Sequence, residues 1–284
     1  MQTPIKLDSF SAVEPGSDAN LVIQPGVTYD GIYLETSLAP SEIENARLQL
    51  NAEEIWSLSG AELVMLDKFD VIYDSFGGPV YRYSLPIQYE TAVLADMQRV
   101  TSLTIGPGDN CVLKVKIAAG ATSPTLEAFA ETSAFRGYRD AIRKFERYTV
   151  PVAGAGTAEF FSVNRGSRVL RMHFKTANMD GLEIVRDRLK VYELDKGRND
   201  YLLKRSGRVP QSGYFHFDPT KQGFPVLDGF ATVANALTFK LNMTAAGNVP
   251  ILVERLYKGQ AMNWSQGNGA SKPPARRRRG LGRG

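Results

Sequence analysis

The 284-residue chain is 43% hydrophobic and has a single cysteine, Cys111, which excludes chain-wide disorder, an internal disulfide and a cysteine-rich metal site. Its formal net charge of +4 hides a division: residues 271–284, SKPPARRRRGLGRG, hold six basic side chains and no acid, leaving the other 270 residues at −2. Apolar runs such as LVML at 63–66 fall far short of the roughly 20 residues that span a bilayer, and MQTPIKLDSFSAVEPGSDAN lacks the basic start and apolar core of a secretory signal, so a soluble, cytoplasmically made product is expected.

Strand patterns dominate the chain. TYDGIYLE at 28–35, ARLQL at 46–50, VYRYSLPI at 80–87 and CVLKVKIA at 111–118 alternate apolar with polar residues, as half-buried strands do. A first short helix is expected near 59–68, SGAELVMLDK. The second half offers EFFSV at 159–163, VLRMHFK at 169–175, RLKVYEL at 188–194, YFHFD at 214–218, LTFKLNM at 237–243 and ILVERLY at 251–257, with a second short helix near 199–205, NDYLLKR. Short strands separated by Gly, Pro, Asn and Asp specify an all-β fold of antiparallel sandwiches or barrels.

Between the halves, PTLEAFAETSAFRGYRDAIRKFERY predicts a helix over 124–148. Phe135, Tyr138, Ile142 and Phe145 then share one face, while Arg136, Arg139, Arg143, Lys144 and Arg147 lie mainly elsewhere. Those five form either the solvated side of a connector or an anion-contacting surface. Residues 261–284 lose apolar periodicity and read as a flexible appendage. Lys272, Arg276, Arg277, Arg278, Arg279 and Arg283 give it the charge to meet nucleic acid phosphates or an anionic membrane.

The chain also repeats itself. IENARLQLNAEEIWSLSGAELV at 43–64 aligns without gaps with LEIVRDRLKVYELDKGRNDYLL at 182–203, 139 positions on, with five identities including Arg47/Arg186 and Glu54/Glu193. YRYSLPI answers to YFHFDPT, and each half closes on strands around a Gly/Asn turn, GPGDN at 106–110 and AAGNVP at 245–250. Two homologous β units follow, about 1–123 and 149–260, each of a size that suits eight strands.

Catalytic chemistry finds little footing. The only histidines, His173 and His216, fall inside strands. HFD at 216–218 begins a two-histidine, one-carboxylate iron motif, but no later histidine completes it. No G-x-S-x-G turn is present. GPGDN and AGAGT lack the lysine of a phosphate loop. Asp67, Asp70 and Asp74 lack the spacing of a known calcium loop. No enzyme activity and no required cofactor are expected.

The motifs GVTYDGIYLETSLAPSEIENARLQLNAEEI at 26–55, RDRLKVYELDKGRNDYLLKRSGRV at 186–209 and ILVERLY at 251–257 resemble segments of the corticovirus major coat proteins, a family of double jelly-roll capsid proteins of membrane-containing icosahedral phages. The resemblance spans most of residues 1–258 and excludes the Arg-rich tail. It implies two tandem eight-stranded jelly rolls joined by a helix, with short helices inside each barrel. It also implies a homotrimer of pseudo-hexagonal outline, tiling an icosahedral shell around an internal membrane. The partners implied are further trimers, minor capsid and vertex proteins, and anionic lipid or packaged genome at the tail. The location implied is the virion capsid, after assembly in the host cytoplasm, and structural calcium is associated with such coats. The competing class is a tandem β-sandwich that binds carbohydrate or a host surface, with Trp56, Trp264 or Tyr81 as sugar platforms.

Overall fold

Alternation is borne out residue by residue. Cys111, Leu113, Val115 and Ile117 are buried while Val112, Lys114 and Lys116 face outward, so one strand covers a core with one face and meets solvent with the other. The computed structural model describes residues 2–73 and 80–258.

In the first half the chain runs through β1 (Thr3–Lys6), β2 (Asp18–Ile23), β3 (Thr28–Thr36), β4 (Ile43–Leu50) and β5 (Glu53–Leu58). It continues through α1 (Gly60–Phe69), β6 (Tyr81–Leu85), α2 (Ala95–Gln98), β7 (Leu103–Thr104), β8 (Cys111–Ile117) and β9 (Leu126–Ser133). One sheet has the order β1-β9-β3-β6, with the short β7 also paired to β3, and the facing sheet has the order β2-β8-β4-β5. All pairs are antiparallel. That order is a jelly roll.

The second half repeats it element for element: β10 (Ala141–Val152), β11 (Gly156–Phe160), β12 (Arg168–Lys175), β13 (Met179–Arg186), β14 (Leu189–Asp195), α3 (Lys196–Arg205), β15 (Tyr214–Phe217), α4 (Pro225–Asp228), β16 (Phe230–Ala231), β17 (Leu237–Met243) and β18 (Gly247–Lys258). Its sheets run β10-β18-β12-β15, with β16 on β12, and β11-β17-β13-β14. Leu21, Leu48 and Trp56 lie in the first core; Phe174, Phe239 and Val253 lie in the second. Among the described residues no helix is long and apolar enough to cross a membrane.

Three expectations are corrected. Residues 124–148 are not a helix: they are β9, a crossing at 134–140, and the start of β10. Leu126, Ala128, Ala130 and Thr132 are buried in alternation, a period of two, and the helical spacing of Phe135, Tyr138, Ile142 and Phe145 arises because these residues straddle the crossing. The first roll therefore extends to 133 and the second begins at 141, so the expected unit 1–123 lacks its closing strand and the expected unit 149–260 lacks most of its opening one. Finally, the duplication is real but its register is 136, not 139. Ile43–Leu50 corresponds to Met179–Arg186, and Ser59, the N-cap of α1, corresponds to Asp195, the N-cap of α3. The hairpin residues Asn51 and Ala52 match Asp187 and Arg188, all with φ between 50° and 70°, as a two-residue turn of type I′ requires. In that register the identities that suggested the repeat disappear; what is retained is geometry.

Candidate functional site

The second roll's sheet β10-β18-β12-β15 has buried residues on both faces. Val169, Met172 and Phe174 of β12 point into the second core, and the alternate residues Arg171 and His173 are just as buried. What covers them is the first roll. The C-terminal end of α1 and the segment after β6 pack on this outer face, and Leu252 of β18 joins the first roll's core.

α1 is built for its position. Ser59 and Glu62 form a reciprocal capping box, with Ser59 N–H donating to Glu62 at 2.8 Å and Glu62 N–H donating to Ser59 Oγ at 3.3 Å. Nearly the whole helix is buried, including Leu63, Leu66 and Phe69. Its C-cap, Asp70, reaches across to Arg171, with Nη1 2.7 Å from Oδ2.

Around this pair three guanidinium groups meet three carboxylates. Arg171 also donates to Thr91 Oγ1 at 2.9 Å and lies 3.5 Å from Asp218 and 3.7 Å from Glu254. Arg208 sits 3.2 Å from Asp218 and 3.6 Å from Asp70, and donates to Thr91 Oγ1 at 3.0 Å. Arg143 holds Glu254 through Nη2 at 2.7 Å and Nε at 3.1 Å, and its Nη1 donates to the carbonyl of Gln88. The Arg171 guanidinium lies between the rings of Tyr89, 4.8 Å away, and Phe69, 5.4 Å away. Burial raises the pKa of Glu254, but Arg143 and Arg171 outweigh it and hold the carboxyl well below its usual range. Burial likewise disfavours the Arg171 cation, and Asp70 with its neighbours more than restores it. Balanced in charge and shared between the rolls, the cluster avoids the penalty of an isolated buried ion.

The two histidines extend it. Gln211 N–H donates to His216 Nε2 at 3.1 Å, so His216 carries its proton on Nδ1. That proton faces His173 Nδ1 at 2.7 Å, and His173 Nε2 then donates to Glu254 Oε1 at 2.9 Å. Burial, then the neighbouring His173, push the His216 pKa well below its ordinary value. Phe69 packs on both rings. These are packed strand histidines, as the sequence indicates. Asp218, the carboxylate of the HFD motif, is held by Arg208 and Thr220.

Asp67 and Glu90 line a small cavity beside Arg143. Burial raises Asp67 to about 8 against the opposing hydrogen bond from Ser84 N–H at 3.1 Å. It raises Glu90 to about 7 against the pull of Arg143. Asp70 is ion-paired, Asp74 lies outside the described residues, and among the described residues no group of three His, Cys, Asp or Glu side chains is arranged to hold a metal. Of the three aspartates, Asp67 and Asp70 are thus engaged in separate contacts, with Ser84 N–H and with Arg171.

The basic residues expected on a linker helix belong to strands and their crossing, and they are engaged within the chain. Arg136 donates to the carbonyl of Arg99 at 3.3 Å, and Arg139 is buried against Asp109 and the carbonyl of Thr104. Arg143 is in the cluster, Lys144 pairs with Glu53, and the half-exposed Arg147 meets Glu62 at 2.5 Å. Lys144 and Arg147 thereby tie β10 to the first roll, as Arg143 does through the carbonyl of Gln88. Lys272, Arg276, Arg277, Arg278, Arg279 and Arg283 lie outside the described residues. Trp56 is fully buried and is no sugar platform; Tyr81 is half-buried and Trp264 lies outside the described residues.

Sequence reasoning missed Arg171, Arg208, Asp218 and Glu254 as a unit. The signal was present in ILVERLY: a strand apolar on nearly every residue is buried on both faces, so a charge within it requires a partner.

Two jelly rolls of the same strand order, locked together by a buried ion cluster, define a double jelly-roll protein. Residues 4–133 match the family described as viral coat protein P2 N-terminal domain, and residues 142–258 match viral coat protein P2 C-terminal domain. The chain belongs to the viral coat protein P2 family, a family of structural proteins of the virion capsid and not of enzymes. Among solved structures it is similar to the major capsid protein P2 from bacteriophage PM2, with a TM-score of 0.83 and 23% identity over 93% of this chain and 99% of that one. The STIV major capsid protein gives 0.65 and 11% over 91% and 97%. The Faustovirus major capsid protein gives 0.63 and 6% over 90% and 89%. These likenesses show a shared fold. No curated protein matches the chain.

Proposed function

We propose that three copies of this coat protein associate into a pseudo-hexagonal capsomer, and that such capsomers tile an icosahedral shell around an internal membrane. The observation that carries this reading is the pairing of a duplicated strand order with the buried cluster between the copies. A chain whose two halves are alike and fixed to each other offers six similar lobes when three copies meet, and similar lobes pack hexagonally by reusing similar edges. Sandwiches also leave few open strand edges, which limits sheet extension at the high concentrations of assembly.

In the same reading the Arg-rich tail contacts a polyanion on the inner side, lipid headgroups or packaged genome, and minor capsid and vertex proteins complete the shell. Charge supports the tail's role: the acid-free segment is the strongest concentration of positive charge in the chain. Native mass tests the capsomer. Sedimentation is expected to give about 94 kDa, three times 31.3 kDa, and a stable monomer at every concentration and ionic strength overturns the reading. Repeating the run with a chelator tests structural calcium. Deleting residues 271–284 is expected to weaken binding to anionic vesicles or DNA in a salt-dependent way; unchanged binding removes the tail's role.

A further inference from the structure

The duplication leaves one interface made and its counterpart unmade. Within the chain, α1 of the first roll covers the outer face of the second roll's sheet. Glu62, Met65, Arg147, His173, Lys175 and Leu252 line a small cavity along that seam.

Pairing registers identify the corresponding positions in the other roll. The bulge between Tyr29 and Gly31 matches that between Val169 and Arg171, so Tyr33 stands where His173 does and Glu35 where Lys175 does. Through the same ladders Phe129 corresponds to Leu252, Glu131 to Glu254 and Glu127 to Pro250. On the helices, Arg198 corresponds to Glu62, Tyr201 to Met65 and Arg205 to Phe69.

Both unmade faces are open. Tyr33, Glu35, Phe129 and Glu131 are half-exposed and Glu127 is exposed. Tyr33 and Phe129 stack at 5.0 Å as an aromatic platform. On α3, Arg198, Tyr201 and Arg205 are exposed along one face, Tyr201 at 60%.

The two helices carry opposite charge. In the made interface α1 brings Glu62 and Asp70 to a sheet face bearing Arg147, Arg171 and Lys175 together with the buried Glu254. On the unmade faces α3 bears Arg205 and Arg198, the latter beside Asp195, and the sheet bears Glu35, Glu127 and Glu131. Within the chain Glu35 meets Arg82 at 2.6 Å, Glu127 meets Lys6 at 2.8 Å and Glu131 accepts from the Tyr33 hydroxyl. Both ion pairs are solvent-exposed and weakly held, so these carboxylates can exchange partners, and a basic α3 suits the acidic face as the acidic α1 suits the basic one.

We infer that the α3 face of one chain, Arg198, Tyr201 and Arg205, docks on the Tyr33–Phe129 platform and its flanking glutamates on a second copy of this chain. This rests on the capsomer reading and names the contact that builds it. Tyr201 packs on the aromatic platform, and the two arginines meet the acidic residues around it. The contact is heterologous, head to tail, so it repeats from chain to chain until the ring closes.

The test uses the full chain. Arg198→Glu/Arg205→Glu is expected to shift the native mass from about 94 kDa to about 31 kDa with an unchanged circular dichroism spectrum. Adding Glu127→Lys/Glu131→Lys to that variant restores complementarity and is expected to restore the trimer. Independently, Tyr201→Cys/Phe129→Cys is expected to give inter-chain disulfide-linked species under oxidation, because the native Cys111 is buried and contributes no background. A wild-type trimer that survives the charge reversal and yields no cross-link overturns this inference and leaves the capsomer reading standing. A wild-type monomer overturns both.

Discussion

Arg171 Nη1 lies 2.7 Å from Asp70 Oδ2, an ion pair running from a strand of the second jelly roll to the helix cap of the first. Neither side chain has meaningful access to water. Removing one partner of such a pair leaves the other charge buried and short of compensation, which typically costs about 3–5 kcal/mol. Asp70→Ala is therefore expected to lower the unfolding free energy measured by urea denaturation by an amount of that order. Asp70→Ala/Arg171→Met is expected to recover part of the loss, giving a coupling in the double-mutant cycle with Asp70→Ala and Arg171→Met. Additive effects would show that the pair does not join the rolls.

The histidine chain makes stability depend on pH. His216 is neutral in the folded protein, with its pKa pushed well below the ordinary value, whereas in the unfolded chain it titrates near about 6.5. Below that value the unfolded state binds the extra proton, so this contribution is intact above pH of about 6.5 and is lost as pH falls toward the folded pKa. Asp67 and Glu90 act in the opposite sense over an overlapping range. The histidine contribution is therefore read as a difference: His216→Phe is expected to lower the urea midpoint at pH 8 and to narrow its deficit toward pH 5. A deficit that does not vary with pH would refute the assignment.

Asp67 supplies the opposing slope. Burial lifts its pKa to about 8, so the folded state holds a proton that the unfolded state has released. The penalty for charging it begins above the unfolded pKa near 4 and is complete once pH passes about 8. Asp67→Asn keeps an oxygen to accept the Ser84 N–H and removes the charge. It is expected to stabilise the protein at pH 9 by several kcal/mol, up to about 5 kcal/mol, and to have little effect near pH 4. Thermal melts at the two pH values decide the matter, and equal shifts would argue that Asp67 is charged throughout.

These contacts show how far the sequence can be read. Strands covering a core on one side, such as β8 and β17, declare themselves by alternation. Strands covered on both sides do not: in VLRMHFK the outward positions hold Arg171 and His173, which resemble solvent-facing residues until the other roll covers them. The segment at 124–148 failed differently. Its Ala, Glu and Arg residues favour a helix, and only long-range pairing of β9 with β1 and β3, and of β10 with β18, overrides that preference. The repeat was inferred from chance identities at the wrong spacing, because duplication has preserved turn conformation, bulges and caps more faithfully than side chains.

Gly60 gives the last test, in which local preference and packing disagree. It opens α1, where alanine favours a helix over glycine by up to about 1 kcal/mol. A Cβ at this position would lie 2.4 Å from the carbonyl oxygen of Pro40 and 3.0 Å from Ile43 Cβ. The oxygen is backbone and cannot swing aside, so the start of the helix must move. Gly197, in the first turn of α3, is the control: its Cβ would meet only Asp195 Oδ1, at 3.4 Å. Gly60→Ala is expected to cost about 1–3 kcal/mol, and Gly197→Ala to stabilise by about 0.5–1 kcal/mol, both measured by urea denaturation. Because α1 carries Phe69 and Asp70 to the second roll, the first substitution is also expected to increase amide exchange across the inter-roll sheet, and the second to leave it unchanged. A stabilising Gly60→Ala would mean that the helix start can shift away from Pro40 without disturbing the contact between the rolls.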